Sequence, residues 1–139
     1  MPEPQTPRER GERLLRLVDG DAVADNLLRT YGEFAPDFLT YLTEFAFGTI
    51  YARDGDLRQR ELIAISSLIT MGDCERQLET HVHGAFNVGL TQAEIVEAVM
   101  TLIPYVGFPK ALNALAVVKR VVEKRAVGSN RAGGAAPTV

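Results

Sequence analysis

The chain is poor in cysteine, in excess basic charge and in long apolar runs, and each shortage excludes a class of protein. One cysteine, Cys74, among 139 residues excludes an intrachain disulfide framework. The formal net charge is -3, and no Lys/Arg cluster is interleaved with aromatics, so nucleic acid is not an expected partner. No uninterrupted apolar run approaches the ~18–20 residues that span a bilayer, so no membrane partner is expected. No apolar segment follows the charged N-terminus, so we expect a cytoplasmic protein without a signal peptide.

The remaining composition is that of one globular domain. Hydrophobic residues make up 46% of the chain and charged residues 24%, and the length suits a single domain. Apolar residues recur at helical spacing and nowhere alternate over two residues, which predicts an all-α bundle of about six to seven helices. The predicted helices cover residues 8–18, 21–31, 36–51, 57–71, 73–87, 91–104 and 109–124.

Both ends of the chain differ in composition from this helical domain, which we place at residues 8–125. Residues 1–7 hold three prolines and are predicted to form a flexible arm. Residues 126–139 are rich in Gly, Ala and Pro without a period and are predicted to form a flexible tail. Pro104 and the segment 105–109 are predicted to kink or end the sixth helix.

Two polar residues lie on the inward stripes of consecutive predicted helices between residues 57 and 87. Glu61 shares a face with Ile65 and Leu68, and His81 lies between Leu78 and Ala85 on the next stripe. A buried carboxylate must be paired, protonated or placed at a cavity. The short connection at residue 72 brings the helices together, so the two groups are a candidate acid/base pair. A purely structural buried pair is the alternative.

The apolar run at residues 61–71 has more than one apolar side, which predicts a partner chain that covers it. The third predicted helix is rich in aromatics. We interpret these as core or as a subunit contact rather than as a ligand box; they are Phe38, Tyr41, Phe45 and Phe47.

A set of short motifs resembles the carboxymuconolactone decarboxylase family. They are Arg60-Glu61-Leu62, His81-x-x-Gly-Ala-x-Asn-x-Gly89, Thr91-x-x-Glu94-Ile95, Tyr105-x-Gly-x-Pro109, and upstream Ala35-Pro-Asp-Phe38 with Glu44-Phe-Ala-Phe-Gly48. The resemblance covers roughly residues 33–125. It implies a helical fold shared with alkylhydroperoxidase D and a homohexamer, often a trimer of dimers. It also implies cofactor-free decarboxylation, as of 4-carboxymuconolactone to the β-ketoadipate enol-lactone.

The same resemblance assigns positions to the site of the alkylhydroperoxidase branch. Its Glu falls on Glu61, its first Cys on Cys74, its second Cys on Gln77 and its His on His81. Dithiol peroxide reduction needs a resolving thiol, and Gln77 cannot supply one, so the peroxidase function is disfavoured. The chain also has His83 where the decarboxylases commonly carry Arg.

The chemistry implied is decarboxylation of a small carboxylated lactone or related ring. His81 would return a proton to carbon and Glu61 would orient it or share its proton. Substrate contacts are predicted from seven further residues: Arg60, Lys110 and His83 as candidate cations, Tyr105 and Phe108 closing the pocket, and Cys74 and Gln77 beside His81. No cofactor and no metal are expected. A thiol-dependent antioxidant protein using Cys74 and a non-catalytic oligomeric family member remain as alternatives.

Overall fold

The computed structural model describes residues 5–133, and every regular element among them is helical. The prediction of an all-α fold is confirmed. The elements are α1 (Pro7–Asp19), α2 (Asp21–Tyr31), α3 (Pro36–Thr40), a π-helix (Tyr41–Tyr51), α4 (Leu57–Met71), α5 (Glu75–Asn87) and α6 (Gln92–Gly133).

Two apolar clusters hold the bundle together. The larger joins α4, α5 and α6 through side chains such as Ile65, Val82 and Val99. The smaller joins α1 to the π-helix through Leu15 and Phe47. Because α1 packs on α5 as well as on the π-helix, it connects the two clusters. The candidate acid/base pair lies where these clusters meet.

The first helix begins one residue earlier than predicted, and its start is well defined. Thr6 and Glu9 form a capping box, in which the Thr6 hydroxyl accepts from the Glu9 amide and the Glu9 carboxylate accepts from the Thr6 amide. Pro7 takes the first helical position, where its missing N–H costs nothing. The predicted arm therefore ends at Thr6, and residues 1–4 of it lie outside the described residues.

The third predicted helix is continuous in space but differs in form. Only Pro36–Thr40 is α-helical, and the wider π-helix takes over from Tyr41. Its backbone meets that of α1 so closely that a Cβ on Gly11 would lie 1.9 Å from the Thr43 carbonyl oxygen. Arg10 also donates from Nε to the Gly48 carbonyl at 2.8 Å. Such backbone contact between distant segments leaves no trace in the local apolar period.

The last helical segment breaks where predicted and continues further than predicted. Gly107 has φ 83° and ψ 166°, which interrupts α6 between Pro104 and Pro109. The second half then runs to Gly133, so residues 126–133 are helical where we predicted a flexible tail. Each residue added to an existing helix gains a backbone hydrogen bond, so the composition of residues 126–133 was not enough to end the helix. Residues 134–139 of that tail lie outside the described residues.

One stretch, Gln92–Arg131, is long and apolar enough to cross a membrane by length and composition alone. Counting uninterrupted apolar residues did not detect it. The backbone break at Gly107 divides this stretch, and residues such as Ile95, Val99 and Val121 belong to the larger core cluster. The stretch is thus two helices, each of which has one side in the larger core cluster.

Large apolar side chains also lie on the surface of the single chain. Ile63 and Met71 of α4 are 66% and 70% exposed, so the apolar run has a second side as expected. Phe38, Tyr41 and Phe45 are exposed as well, whereas Phe47 is buried. The surface aromatics therefore suit a subunit contact and Phe47 is core, while assembly itself stays a prediction.

Candidate active site

The structure brings Glu61 and His81 into direct contact. Nδ1 of His81 lies 2.9 Å from Oε2 of Glu61. The Glu61 side chain is fully buried, whereas that of His81 is 23% exposed. Tyr51, at the end of the π-helix, donates its hydroxyl to the other carboxylate oxygen at 2.9 Å. Glu61 thus accepts at both oxygens, as a buried carboxylate must, and the contact to His81 is made through Nδ1 of the ring.

Local sequence explains why the two helices present these side chains to each other. Gly72 ends α4 at φ 72°, and its amide donates to the Leu68 carbonyl. The next helix, α5, begins at Glu75, two residues after the predicted start at residue 73. Cys74 occupies its N-cap position without a side-chain hydrogen bond. At the contact itself α5 has Gly84, where a Cβ would come within 2.9 Å of Oε2 of Glu61. The absence of a side chain at Gly84 leaves the room that the carboxylate occupies.

The charge state of His81 follows from its neighbours. Burial by itself lowers the His81 pKa, but the hydrogen bond and charge of Glu61, with the charge of Asp19, outweigh it and leave that pKa raised. Burial also raises the pKa of Tyr51, and the charge and hydrogen bond of Glu61 add to that rise, so Tyr51 stays a hydrogen-bond donor. The site thus favours an imidazolium held by a carboxylate.

The predicted cations are engaged elsewhere in the single chain. Arg60 donates from Nη2 to the carbonyls of Arg53 and Asp54, at 2.9 and 3.1 Å, and so fastens the loop before α4. Lys110 donates from Nζ to the Thr70 carbonyl at 2.7 Å. It lines a small cavity of about 50 Å³ together with Cys74. Neither cation contacts the Glu61–His81 pair.

The other predicted contacts are dispersed as well. Gln77 is exposed on α5, and Tyr105 and Phe108 are 82% and 67% exposed around the break in α6. The described residues therefore form no pocket that these two aromatics close within one chain. His83 lies in a separate surface groove, where burial and the Arg125 charge hold its pKa below the usual value.

Among residues 5–133 no three His, Cys, Asp or Glu side chains come together as metal ligands. Glu79 lies four residues before His83 on α5, but its carboxylate is not free to bind a metal. Instead both oxygens of Glu79 meet cations, since Oε2 accepts from Arg120 at 3.1 Å and Oε1 from Lys124.

Two residues of the site escaped the sequence analysis. Asp19 is 8% exposed at the end of α1, and it follows Leu15 by four residues, so helical spacing was a usable signal. Tyr51 was assigned to a regular helix, and the π-helix changes the period by which an inward residue is recognised.

The sequence profile of the carboxymuconolactone decarboxylase family matches residues 36–120. The chain belongs to this family, as its motifs indicated. It is 31% identical over 115 residues to nitrosuccinic acid decarboxylase npaB of Metarhizium robertsii, across 82% of this chain and 80% of that protein. It is 30% identical over 105 residues to 4-carboxymuconolactone decarboxylase of Acinetobacter baylyi, across 75% and 78%. Both relatives are decarboxylases, which supports decarboxylase-like chemistry for this chain.

Proposed function

We propose that this protein is a cofactor-free decarboxylase of a small carboxylated lactone or related acid, with His81 as proton donor and Glu61 as its partner. The observation that supports this most directly is the buried Glu61 carboxylate bound to Nδ1 of a partly exposed His81 at 2.9 Å. A raised His81 pKa keeps a proton available near neutral pH.

The substrates for which the two relatives are named share one chemical feature. Both 4-carboxymuconolactone and nitrosuccinic acid carry a carboxylate whose loss leaves an electron pair that an acceptor group can delocalise. The acceptor is the unsaturated lactone carbonyl in one and the nitro group in the other. Because the substrate itself accepts the electrons, no cofactor is needed to hold them. We propose the same requirement for the substrate of this chain.

The reaction balances with the residues present. The bond between carbon and carboxylate breaks, CO₂ leaves, and its electron pair stays on the substrate as a delocalised anion. The imidazolium of His81 stabilises this anion and then transfers its Nε2 proton to carbon, which forms a C–H bond. His81 recovers a proton from solvent, so each turnover consumes one proton. Glu61 holds the ring through Nδ1, and Tyr51 holds Glu61.

The test is CO₂ release from 4-carboxymuconolactone and from nitrosuccinic acid by the purified protein. His81→Ala should lower turnover by about 10²–10⁴-fold, the usual worth of general acid/base catalysis. Glu61→Gln should also slow turnover. His83→Ala is the matched control, since the His83 ring faces Arg125 rather than Glu61, and it should lose little.

A structural role for the pair predicts a different pattern. Removing one partner of a buried pair destabilises a protein by about 3–5 kcal/mol, because the other is left uncompensated. Activity per folded molecule would then survive. Thermal midpoints and turnover measured on the same variants separate the two outcomes. A folded, fully active His81→Ala protein would refute the proposal.

A further inference from the structure

A surface groove of about 530 Å³ lies between the end of α1, α5 and α6. Its walls come from the junction of α1 and α2, the outer face of α5 and the second half of α6. The ionisable side chains that line it are Asp19, Arg76, Glu79, His83 and Arg125. Asp19 differs from the other four because it is buried.

One carboxylate oxygen of Asp19 has no hydrogen-bond partner in the groove wall. Oδ1 of Asp19 is buried and has no hydrogen-bond partner among the described residues. Arg125 lies over the Phe86 ring at 5.1 Å and donates to Oδ1 of Asn87 at 3.2 Å. Burying a carboxyl group without a hydrogen-bond partner costs free energy, and Asp19 is buried in this way at the groove wall.

The end of α1 lies against α5 beside Gly84, where the Glu61 carboxylate also packs. The Val18 carbonyl accepts from Nδ2 of Asn87 at 2.8 Å, which fixes α1 on α5. A Cβ placed on Gly84 would lie 3.1 Å from Cγ1 of Val18 and 2.9 Å from Oε2 of Glu61. The residue next to Asp19 therefore packs at the same point of α5 as the Glu61 carboxylate.

The charges facing Asp19 come from several elements. Glu61 of α4 and His81 of α5 act on it most strongly, and Tyr51 of the π-helix feels its charge. Burial raises the pKa of Asp19 to about 6, His81 opposes that rise and Glu61 adds to it. Asp19 lies outside the span of the family match, residues 36–120, so the family motifs do not account for it.

We propose that Asp19 is a positioning residue for the Glu61–His81 pair: its buried carboxyl group adds to the hold that Glu61 has on the protonated His81 and exchanges its own proton with solvent through the groove. A negative Asp19 favours the imidazolium, and a protonated Asp19 releases that hold. This charge coupling can be tested without substrate, whereas its value for turnover rests on the proposed function.

Proton NMR of the histidine rings tests this without any substrate. The chain has two histidines, so a His83→Ala variant assigns both signals. Asp19→Asn should lower the His81 pKa relative to the wild type, because a negative charge nearby is removed while the side-chain volume is kept. Asp21→Asn is the matched control, since Asp21 is 81% exposed and pairs with Arg16. It should leave the His81 pKa unchanged. An unchanged His81 pKa in Asp19→Asn, or an equal fall in both variants, would overturn the proposal.

A second measurement on the wild-type protein covers the case in which Asp19→Asn does not fold. Carbon NMR of the carboxyl groups should place the Asp19 transition near pH 6, with a matching inflection in the His81 signal. A transition near 3.8 and a single-step His81 curve would refute the coupling. If the protein decarboxylates, the basic limb of the turnover profile should move to lower pH in Asp19→Asn. Ring titration thus decides the Asp19 role, and turnover decides the proposed function.

Discussion

The buried Asp19 carboxyl predicts a pH-dependent loss of stability. Asp19 has an ordinary pKa of 3.8, and burial raises it to about 6 in the folded protein. A group whose pKa is raised by folding stabilises fully below its unfolded pKa, and that contribution is lost as pH rises through its folded pKa. From Asp19 alone, the free energy of unfolding should therefore fall between pH 4 and pH 6 and level off above that range.

The magnitude follows from the two pKa values. Each pKa unit between the unfolded and the folded state corresponds to about 1.4 kcal/mol. The rise of the Asp19 pKa from 3.8 to about 6 therefore corresponds to about 3 kcal/mol. Asp19→Asn removes this titration and keeps the size of the side chain. The free energy of unfolding of the variant, minus that of the wild type, should therefore rise by about 2.4 kcal/mol between pH 4 and pH 7, since about 0.6 kcal/mol is already lost at pH 4.

The assay is urea denaturation of both proteins at a fixed protein concentration across this pH range. Any constant cost of burying the new amide cancels, because only the change of the difference with pH is compared. Asp21→Asn serves as the control and should show no such change, since its carboxylate is exposed. A difference for Asp19→Asn that stays the same at pH 4 and pH 7 would show that Asp19 titrates normally.

Three further outcomes are expected. Gly84→Ala should reduce turnover and stability, because its Cβ would lie 2.9 Å from the Glu61 carboxylate and overpacking costs about 1–3 kcal/mol. The control variant Gly128→Ala should be tolerated, because a Cβ there would have nothing within 4 Å. Equal thermal midpoints and equal turnover for the two variants would contradict this prediction. Cys74→Ser should retain the main activity, and its complete loss would favour thiol chemistry. Light scattering should show a dimer or hexamer, since exposed apolar residues such as Ile63 and Met71 need cover; a monomer of about 15.2 kDa would contradict this.

The helices and the pairing of Glu61 with His81 were within reach of the sequence. Their positions on the stripes of two consecutive helices depend only on local spacing, and the short turn at Gly72 leaves those helices little choice but to pack together. The break around Gly107 was also predicted from local rules, because Pro104 and Pro109 lack the backbone N–H that a regular helix needs. Local rules of this kind act within a few residues.

The surroundings of the pair were decided only by the tertiary structure. Tyr51 donates to Glu61 from the end of a π-helix whose backbone lies against Gly11. The contact between the π-helix and Gly11 joins segments that are too far apart in sequence for a local pattern to predict it. Asp19 comes within range of His81 because Asn87, 69 residues after Val18, holds the end of α1 on α5. Arg60 and Lys110 had the right charge but were taken up by nearby backbone carbonyls. A charge acts through the space around it, so its partners depend on the packing of distant segments, whereas the stripe on which a residue lies depends on its own helix.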